Sequence, residues 1–142
     1  MTAEARTRER TRRDVAAPAV LGAIVAGATA YVALVDPNSP GHYLTCPLLL
    51  LTGLECPGCG ALRATHDLAH LDLAGAWSMN PLWVVLAPTL VLMWGWWMAR
   101  AWTGRPVRPL PVPVAWVGLG VLVVFGVLRN VPALSGWLGP AA

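Results

Sequence analysis

Nearly all the side chains that could do chemistry lie in one stretch of this 142-residue chain. Cys56 and Cys59 form a C-x-x-C pair, and Cys46 precedes Cys56 by ten residues. His66 and His70 follow within eleven residues of Cys59. Thiolates and imidazole nitrogens are the ligands that zinc and copper prefer, and thiols can also exchange disulfides. The stretch therefore predicts metal binding or thiol chemistry, if it has a chemical function at all.

Metal binding needs ligands that can reach one ion. Cys56, Cys59 and His66 form the candidate set for zinc or copper, and Cys46 joins them if the backbone folds back at the intervening glycines. On a continuous helix, at 1.5 Å per residue, His70 would lie about 16 Å beyond Cys59 and could not share the ion. His66 and His70, four residues apart, could instead form a separate weak site.

Thiol–disulfide exchange at the membrane surface is the second hypothesis, because three cysteines allow one disulfide and one remaining thiol. Cys59 would begin a helix one turn before Arg63, and both features favour its thiolate. The third hypothesis is non-catalytic: the stretch is a rigid plug in an accessory or scaffold subunit. We favour this third interpretation and lean against an enzyme, because nothing in the sequence requires catalysis.

Three apolar runs must position these residues, at 18–35, 82–99 and 112–128. Each is about long enough to cross a hydrocarbon core of roughly 30 Å, and none carries a charged side chain. The sequence therefore predicts an all-α integral membrane protein with three transmembrane helices. The alternative for the first run is a cleavable export signal ending in the small residues 28–30.

The basic residues indicate the orientation. All ten are arginines, and eight of them precede the first run or separate the second from the third. The positive-inside rule then predicts a basic cytoplasmic tail at 1–17, a single membrane domain at 18–142 and an extracytoplasmic loop at 36–81, in a bacterial inner membrane. The predicted partners are the lipid bilayer and a membrane protein or a second copy of the chain. The sequence has no basic stripe with interleaved aromatic residues, so we do not expect a nucleic-acid partner.

The long loop contains a predicted amphipathic helix at 61–71, lying at the membrane interface. Its polar face carries Arg63, His66, Asp67 and His70. Arg63 and Arg129 are the two basic residues on the outer side, so they are candidates for structural or anion contacts, together with Asp67 and Asn130. Arg129 would either snorkel toward the headgroups or pin the loop to the third span.

Several short motifs along residues 42–132 resemble a family of small bacterial membrane proteins, domain-of-unknown-function family 2752. The matching motifs are Cys46-Pro47, Thr52-Gly53-Leu54, Cys56-Pro57-Gly58-Cys59-Gly60, Arg63, Asp72-Leu73, Asn80-Pro81 and Leu128-Arg129-Asn130-Val131-Pro132. The family usually has threonine before the arginine, where this chain has Leu62. The resemblance implies a membrane protein with a shared extracytoplasmic motif, and it implies no established activity.

Overall fold

The computed structural model describes residues 3–39, 43, 46–107 and 109–139, with side chains from residue 14 onward. Within these ranges the secondary structure is helical and contains no strand. The described ranges contain seven helices: α1 (Ala3–Leu34), α2 (Pro47–Thr52), α3 (Ala61–Ala69), α4 (Leu73–Met79), α5 (Pro81–Trp102), α6 (Val112–Arg129) and α7 (Ser135–Leu138).

Three of these helices are long and apolar enough to cross a membrane, at Asp14–Leu34, Pro81–Trp102 and Val112–Arg129. The predicted all-α fold with three spanning helices is therefore confirmed, and the predicted runs at 18–35, 82–99 and 112–128 fall almost entirely within these segments. The helix of the first span begins much earlier than the apolar run, at Ala3. The preceding segment is rich in alanine, glutamate and arginine, which are good helix formers.

The chain divides into two compact units, Met1–Ala28 with Pro88–Pro109 and Thr29–Ala87 with Leu110–Ala142. In the first unit, the indole Nε1 of Trp94 donates a 2.8 Å hydrogen bond to the carbonyl oxygen of Pro18. A Cβ atom at Gly22 would overlap the same indole ring. A glycine at this position therefore lets α1 and α5 approach closely, as helices in membranes require.

The second unit contains the cysteine and histidine stretch and the short helices around it. Asp72 caps α4 by accepting a 2.8 Å hydrogen bond from the Gly75 backbone N–H. Asn80 similarly accepts a 2.9 Å hydrogen bond from the Trp83 N–H, with Pro81 as the first residue of α5. Both are residues whose side-chain oxygen is preferred at a helix start, and proline is favoured directly after such a cap.

Two short helices in this unit were not predicted. The apolar segment after Cys46 forms α2, with Pro47 in its first turn and Gly53 in the left-handed conformation at its end. The other is α7, which precedes Gly139 near the end of the described chain. Because both helices are a turn or two long, neither shows the periodicity on which helix prediction depends.

Candidate functional site

Two adjacent segments of the second unit carry the candidate residues. We call residues 46–60 the cysteine loop, and α3 with its C-cap residue His70 the histidine helix. In the cysteine loop, α2 and the turn at Gly53 reverse the chain, so that Cys46 and Cys56 meet. The Sγ atoms of Cys46 and Cys56 are 3.5 Å apart, and those of Cys56 and Cys59 are 3.3 Å apart.

The three cysteines are free thiols, half-buried, and all three sulfurs lie within 4.8 Å of one another. Among the described residues, this is the one group of three or more cysteine, histidine or acidic side chains close enough to hold a metal ion. His66, named in the sequence-based ligand set, is outside the group. Its Nδ1 lies 2.8 Å from the carbonyl oxygen of Val32, in the last turn of α1.

A tight backbone path joins the cysteine loop to the histidine helix. The Cys59 N–H donates to the Cys56 carbonyl at 3.0 Å, which closes a turn across the C-x-x-C pair. Gly60 then adopts φ +78°, a conformation in which other residues are strained, and a Cβ there would lie 2.6 Å from the Met79 carbonyl oxygen. Glycine is therefore required at residue 60 for both its conformation and its close contact with α4.

Side chains distant in sequence hold the cysteine loop from outside. Arg129, at the end of α6, is 2 % exposed; it forms an ion pair with Glu55 and donates a 2.8 Å hydrogen bond to the Cys59 carbonyl. Asn130 accepts from the Glu55 N–H and donates to the Glu55 carbonyl, both at 2.9 Å. Asn80, 1 % exposed, donates to the carbonyls of Pro57 and Cys59, both at 3.0 Å.

These contacts form a polar clamp, which we define as Glu55, Asn80, Arg129 and Asn130. The side chains of Asn80, Arg129 and Asn130 bond to backbone groups of the cysteine loop that make no hydrogen bond within a helix. Among the described residues, no buried side-chain nitrogen or oxygen lacks a hydrogen-bond partner. The clamp is therefore fully satisfied, which is the condition under which a buried polar network stabilises a single conformation. Arg129 does not extend outward to headgroups, because its guanidinium faces the loop.

Arg63 differs sharply from Arg129. It is exposed, and its guanidinium contacts no carboxylate among the described residues. Asp67 also makes no ion pair with Arg63. Burial, more than the nearby Asp72, raises the pKa of the Asp67 carboxyl.

The packed face of the same helix is centred on Ala64, against α4. Ala64 is fully buried, while Leu62 is 47 % exposed.

The three thiols have different electrostatic environments. The backbone N–H of Leu49 lowers the pKa of Cys46 to about 7, and the neighbouring Cys56 thiol contributes a smaller part of this shift. The Cys46 side chain nevertheless does not cap α2 with a hydrogen bond. Burial raises the pKa of Cys59 to about 12. The expectation that Cys59 would be the thiolate is therefore wrong. Helix α3 begins after Cys59 and Arg63 points to solvent, so burial outweighs any favourable charge.

The polar clamp was only partly foreseen. The sequence singled out Arg129 and Asn130 but not Glu55 as their specific partner, and Asn80 entered only as part of the Asn80-Pro81 motif. The available signal was the placement of Arg129 and Asn130 directly after an apolar span, where a charged residue must find a partner or reach water.

Residues 46–94 match the family described as "Protein of unknown function (DUF2752)". The family recognised from the sequence motifs is confirmed over this segment, which contains the three cysteines, the histidine helix and Asn80. No curated protein and no solved structure shows significant similarity to the chain. Arg129 and Asn130 lie beyond the matched segment, so the clamp joins the family segment to α6.

Proposed function

We propose that this protein is a multi-pass protein of the bacterial inner membrane that binds zinc or copper(I) through Cys46, Cys56 and Cys59. The observation that carries the proposal is the convergence of their three sulfurs within 4.8 Å. Zinc–sulfur bonds of about 2.3 Å in tetrahedral geometry place sulfurs about 3.8 Å apart. The Sγ separations of 3.3 and 3.5 Å are close to that value, so the thiols fit a shared ion after small adjustments.

The donor set limits the choice of metal. Thiolates are soft ligands that favour zinc and copper(I) over magnesium or calcium, which take oxygen ligands. When bound, zinc would supply Lewis acidity and copper would supply one-electron chemistry. The residues of this chain would contribute binding and orientation, because the polar clamp fixes the backbone of Cys59 while the sulfurs stay half-buried.

We propose an accessory role, in which the metal is held and no reaction is catalysed by the chain itself. Asn80 and Arg129 are buried and Asn130 is half-buried, and all three side chains are occupied by bonds to backbone or Glu55. A group committed to such bonds cannot readily act as a general acid or base. The clamp therefore supports a rigid binding site in a metal-holding subunit.

The proposed location of the site is the extracytoplasmic membrane surface. Within the second unit, the histidine helix contacts the last turn of α1 through Val32. The cysteine loop contacts the start of α5 through Asn80 and the end of α6 through Arg129. The arginines in the first half of α1, near the end of α5 and in the segment before α6 favour the cytoplasmic side for the opposite ends of these helices. Reaction of cysteine thiols with a membrane-impermeant maleimide on intact cells, compared with lysed cells, tests this orientation.

Metal analysis tests the binding proposal. The full chain, purified in detergent without chelator, is loaded with Zn²⁺ or with Cu⁺ under reductant, desalted and measured for bound metal by mass spectrometry. We expect one thiol-bound ion per chain in the wild type, so C46S, C56S and C59S should each hold markedly less metal than the wild type. H70N serves as the matched control and should retain the thiol-bound ion. Wild-type protein without metal, or a triple serine variant that holds as much metal as the wild type, would refute the proposal.

The unequal pKa values favour a second candidate function, thiol–disulfide exchange. The Cys46 thiolate would attack a partner disulfide, form a mixed disulfide and release one partner thiolate. Cys56, with its sulfur 3.5 Å away, would then attack the Cys46 sulfur and release the second thiolate. The net result is one Cys46–Cys56 disulfide and a reduced partner.

Alkylation rates separate this candidate from metal binding. At pH 8, in metal-free protein, Cys46 is mostly thiolate and Cys59 mostly thiol, so iodoacetamide should modify Cys46 much faster than Cys59. Oxidised glutathione should then yield a Cys46–Cys56 disulfide. Equal alkylation rates, or glutathione left stably attached to Cys46, would exclude the exchange mechanism.

A further inference from the structure

We propose a second metal site on the histidine helix, formed by the Nε2 atoms of His66 and His70 and suited to Cu²⁺, Ni²⁺ or Zn²⁺. The two residues are four apart on one helix face, and their ring centroids are 4.4 Å apart with an interplanar angle of 38°. Side chains at this spacing are neighbours on a helix surface and can bind one ion together.

The hydrogen bonds of both rings orient them as ligands. His66 Nδ1 lies 2.8 Å from the Val32 carbonyl oxygen, and His70 Nδ1 lies 2.8 Å from the His66 carbonyl oxygen. A carbonyl oxygen can only accept, so Nδ1 carries the hydrogen in each ring and, in the neutral imidazole, Nε2 keeps the free lone pair. An Nδ1–H bond to a backbone carbonyl is the common outer-shell arrangement of metal-binding histidines.

The pair is accessible and separate from the thiol cluster. His70 is exposed and His66 half-buried. Asp67, between them in sequence, turns toward α4, since a Cβ at Gly75 would lie 3.3 Å from its Oδ2. The two imidazoles are therefore the protein ligands, and water completes the coordination. Imidazole nitrogen suits copper, nickel and zinc, and Cu²⁺ binds most tightly in the usual order for divalent metals.

Copper(II) binding to protein with alkylated thiols tests this site without contribution from the cysteines. The full chain in detergent, treated with iodoacetamide under reductant and then desalted, is titrated with Cu²⁺ and followed by electron paramagnetic resonance. We expect nitrogen hyperfine splitting from two imidazoles in the wild type. H70N should weaken binding by 10-fold or more, since even outer-shell changes at metal sites cost about 10–100-fold.

His70 is the better residue to change, because its side chain makes only a local bond, whereas His66 also contacts α1. The matched control is H42N, which removes the third histidine of the chain and should leave the two-imidazole spectrum unchanged. A wild-type spectrum with no nitrogen splitting, or equal losses in H42N and H70N, would overturn the proposal. A second measurement needs no substitution: ¹⁵N chemical shifts of the metal-free protein should show two histidines protonated at Nδ1, and protonation of both at Nε2 would also overturn it.

Discussion

The cysteine loop and the histidine helix are adjacent in sequence but are held in place in opposite ways. The loop backbone is bound by Asn80, Arg129 and Asn130, which are 21 to 75 residues away from their partners. The histidine helix satisfies its own backbone, and its side chains add two distant bonds, from His66 to Val32 and from Trp83 to Thr65.

This difference follows from backbone chemistry. A helix pairs its own N–H and C=O groups, whereas an irregular loop near buried surfaces needs outside partners for each of them. The geometry of the three thiols therefore depends on residues at the start of α5 and at the end of α6, while that of the two histidines depends mainly on α3. We therefore expect substitutions of these distant residues to disturb the thiol cluster more than substitutions on the histidine helix do.

The largest effect is expected from removing the arginine of the polar clamp. R129M leaves Glu55 without its cation and the Cys59 carbonyl without a donor. Breaking one partner of a buried ion pair costs about 3–5 kcal/mol. Unfolding in detergent, followed by circular dichroism, should show this loss and a loss of bound zinc. R63M, at an exposed position of the histidine helix, is the control and should change stability by less than about 0.5 kcal/mol. Equal effects of the two variants would remove the distinction between the segments.

The next largest effect is expected at Gly60. An alanine there must adopt φ +78° and place its Cβ 2.6 Å from the Met79 carbonyl oxygen. The left-handed conformation alone costs about 1–2 kcal/mol, and the close contact adds to it. G53A is a matched control, since Gly53 has φ +70° but no atom within 4 Å of the added Cβ. G60A should therefore lower the melting temperature more than G53A. If both lower it equally, contact with α4 does not constrain the loop.

A smaller effect is expected from N80A, which leaves the Pro57 and Cys59 carbonyls without their side-chain donor. Unsatisfied buried groups cost about 1–3 kcal/mol each, and local relaxation should keep the total near the lower end. The control is N38A, because Asn38 is exposed and bonds only to Asp36. Denaturant titration should place N80A below the wild type and N38A within about 0.5 kcal/mol of it. A stable N80A protein with unchanged zinc affinity would show that Asn80 is dispensable to the loop.

The smallest effect is expected on the histidine helix, from D67N. Burial and Asp72 raise the pKa of Asp67, so its folded-state charge is unfavourable at neutral pH. A raised acid pKa gives stability that is present at low pH and lost as pH rises. D67N should therefore melt slightly higher than the wild type at pH 7, and the gain should disappear near pH 3, where wild-type Asp67 is neutral. D14N, at an exposed position, should show no gain at either pH. A lower melting temperature for D67N at pH 7 would contradict this sign.

The spanning helices could be predicted because length and apolarity decide them without knowledge of tertiary contacts. The helix starts at Asp72 and Asn80 were likewise visible, since a capping residue acts within three positions of itself. The burial of Arg129 could not be predicted, because its partners Glu55 and Cys59 lie at least 70 residues away in the sequence. The pKa of Cys59 depends on the same long-range packing, which partly buries its thiol, whereas the pKa of Cys46 depends chiefly on the neighbouring backbone N–H of Leu49.

The convergence of all three cysteines could be stated from the sequence only as an option, conditional on a backbone fold at the glycines. The reversal instead involves α2 and Gly53, which places Cys46 beside Cys56. The histidine pair was foreseen from its spacing of four residues. Its ring orientation was not, because it depends on the Val32 carbonyl, 34 residues away.

The most direct test of the central claim is X-ray absorption at the zinc edge of the purified, zinc-loaded full chain, with H70N measured alongside to exclude the histidine site. We expect three sulfur neighbours at about 2.3 Å around the zinc of H70N. The wild type should show the same zinc–sulfur distance with fewer sulfurs on average, because zinc at the histidine pair adds nitrogen and oxygen neighbours. One sulfur or none in H70N whose thiols are fully reduced would contradict the thiol site.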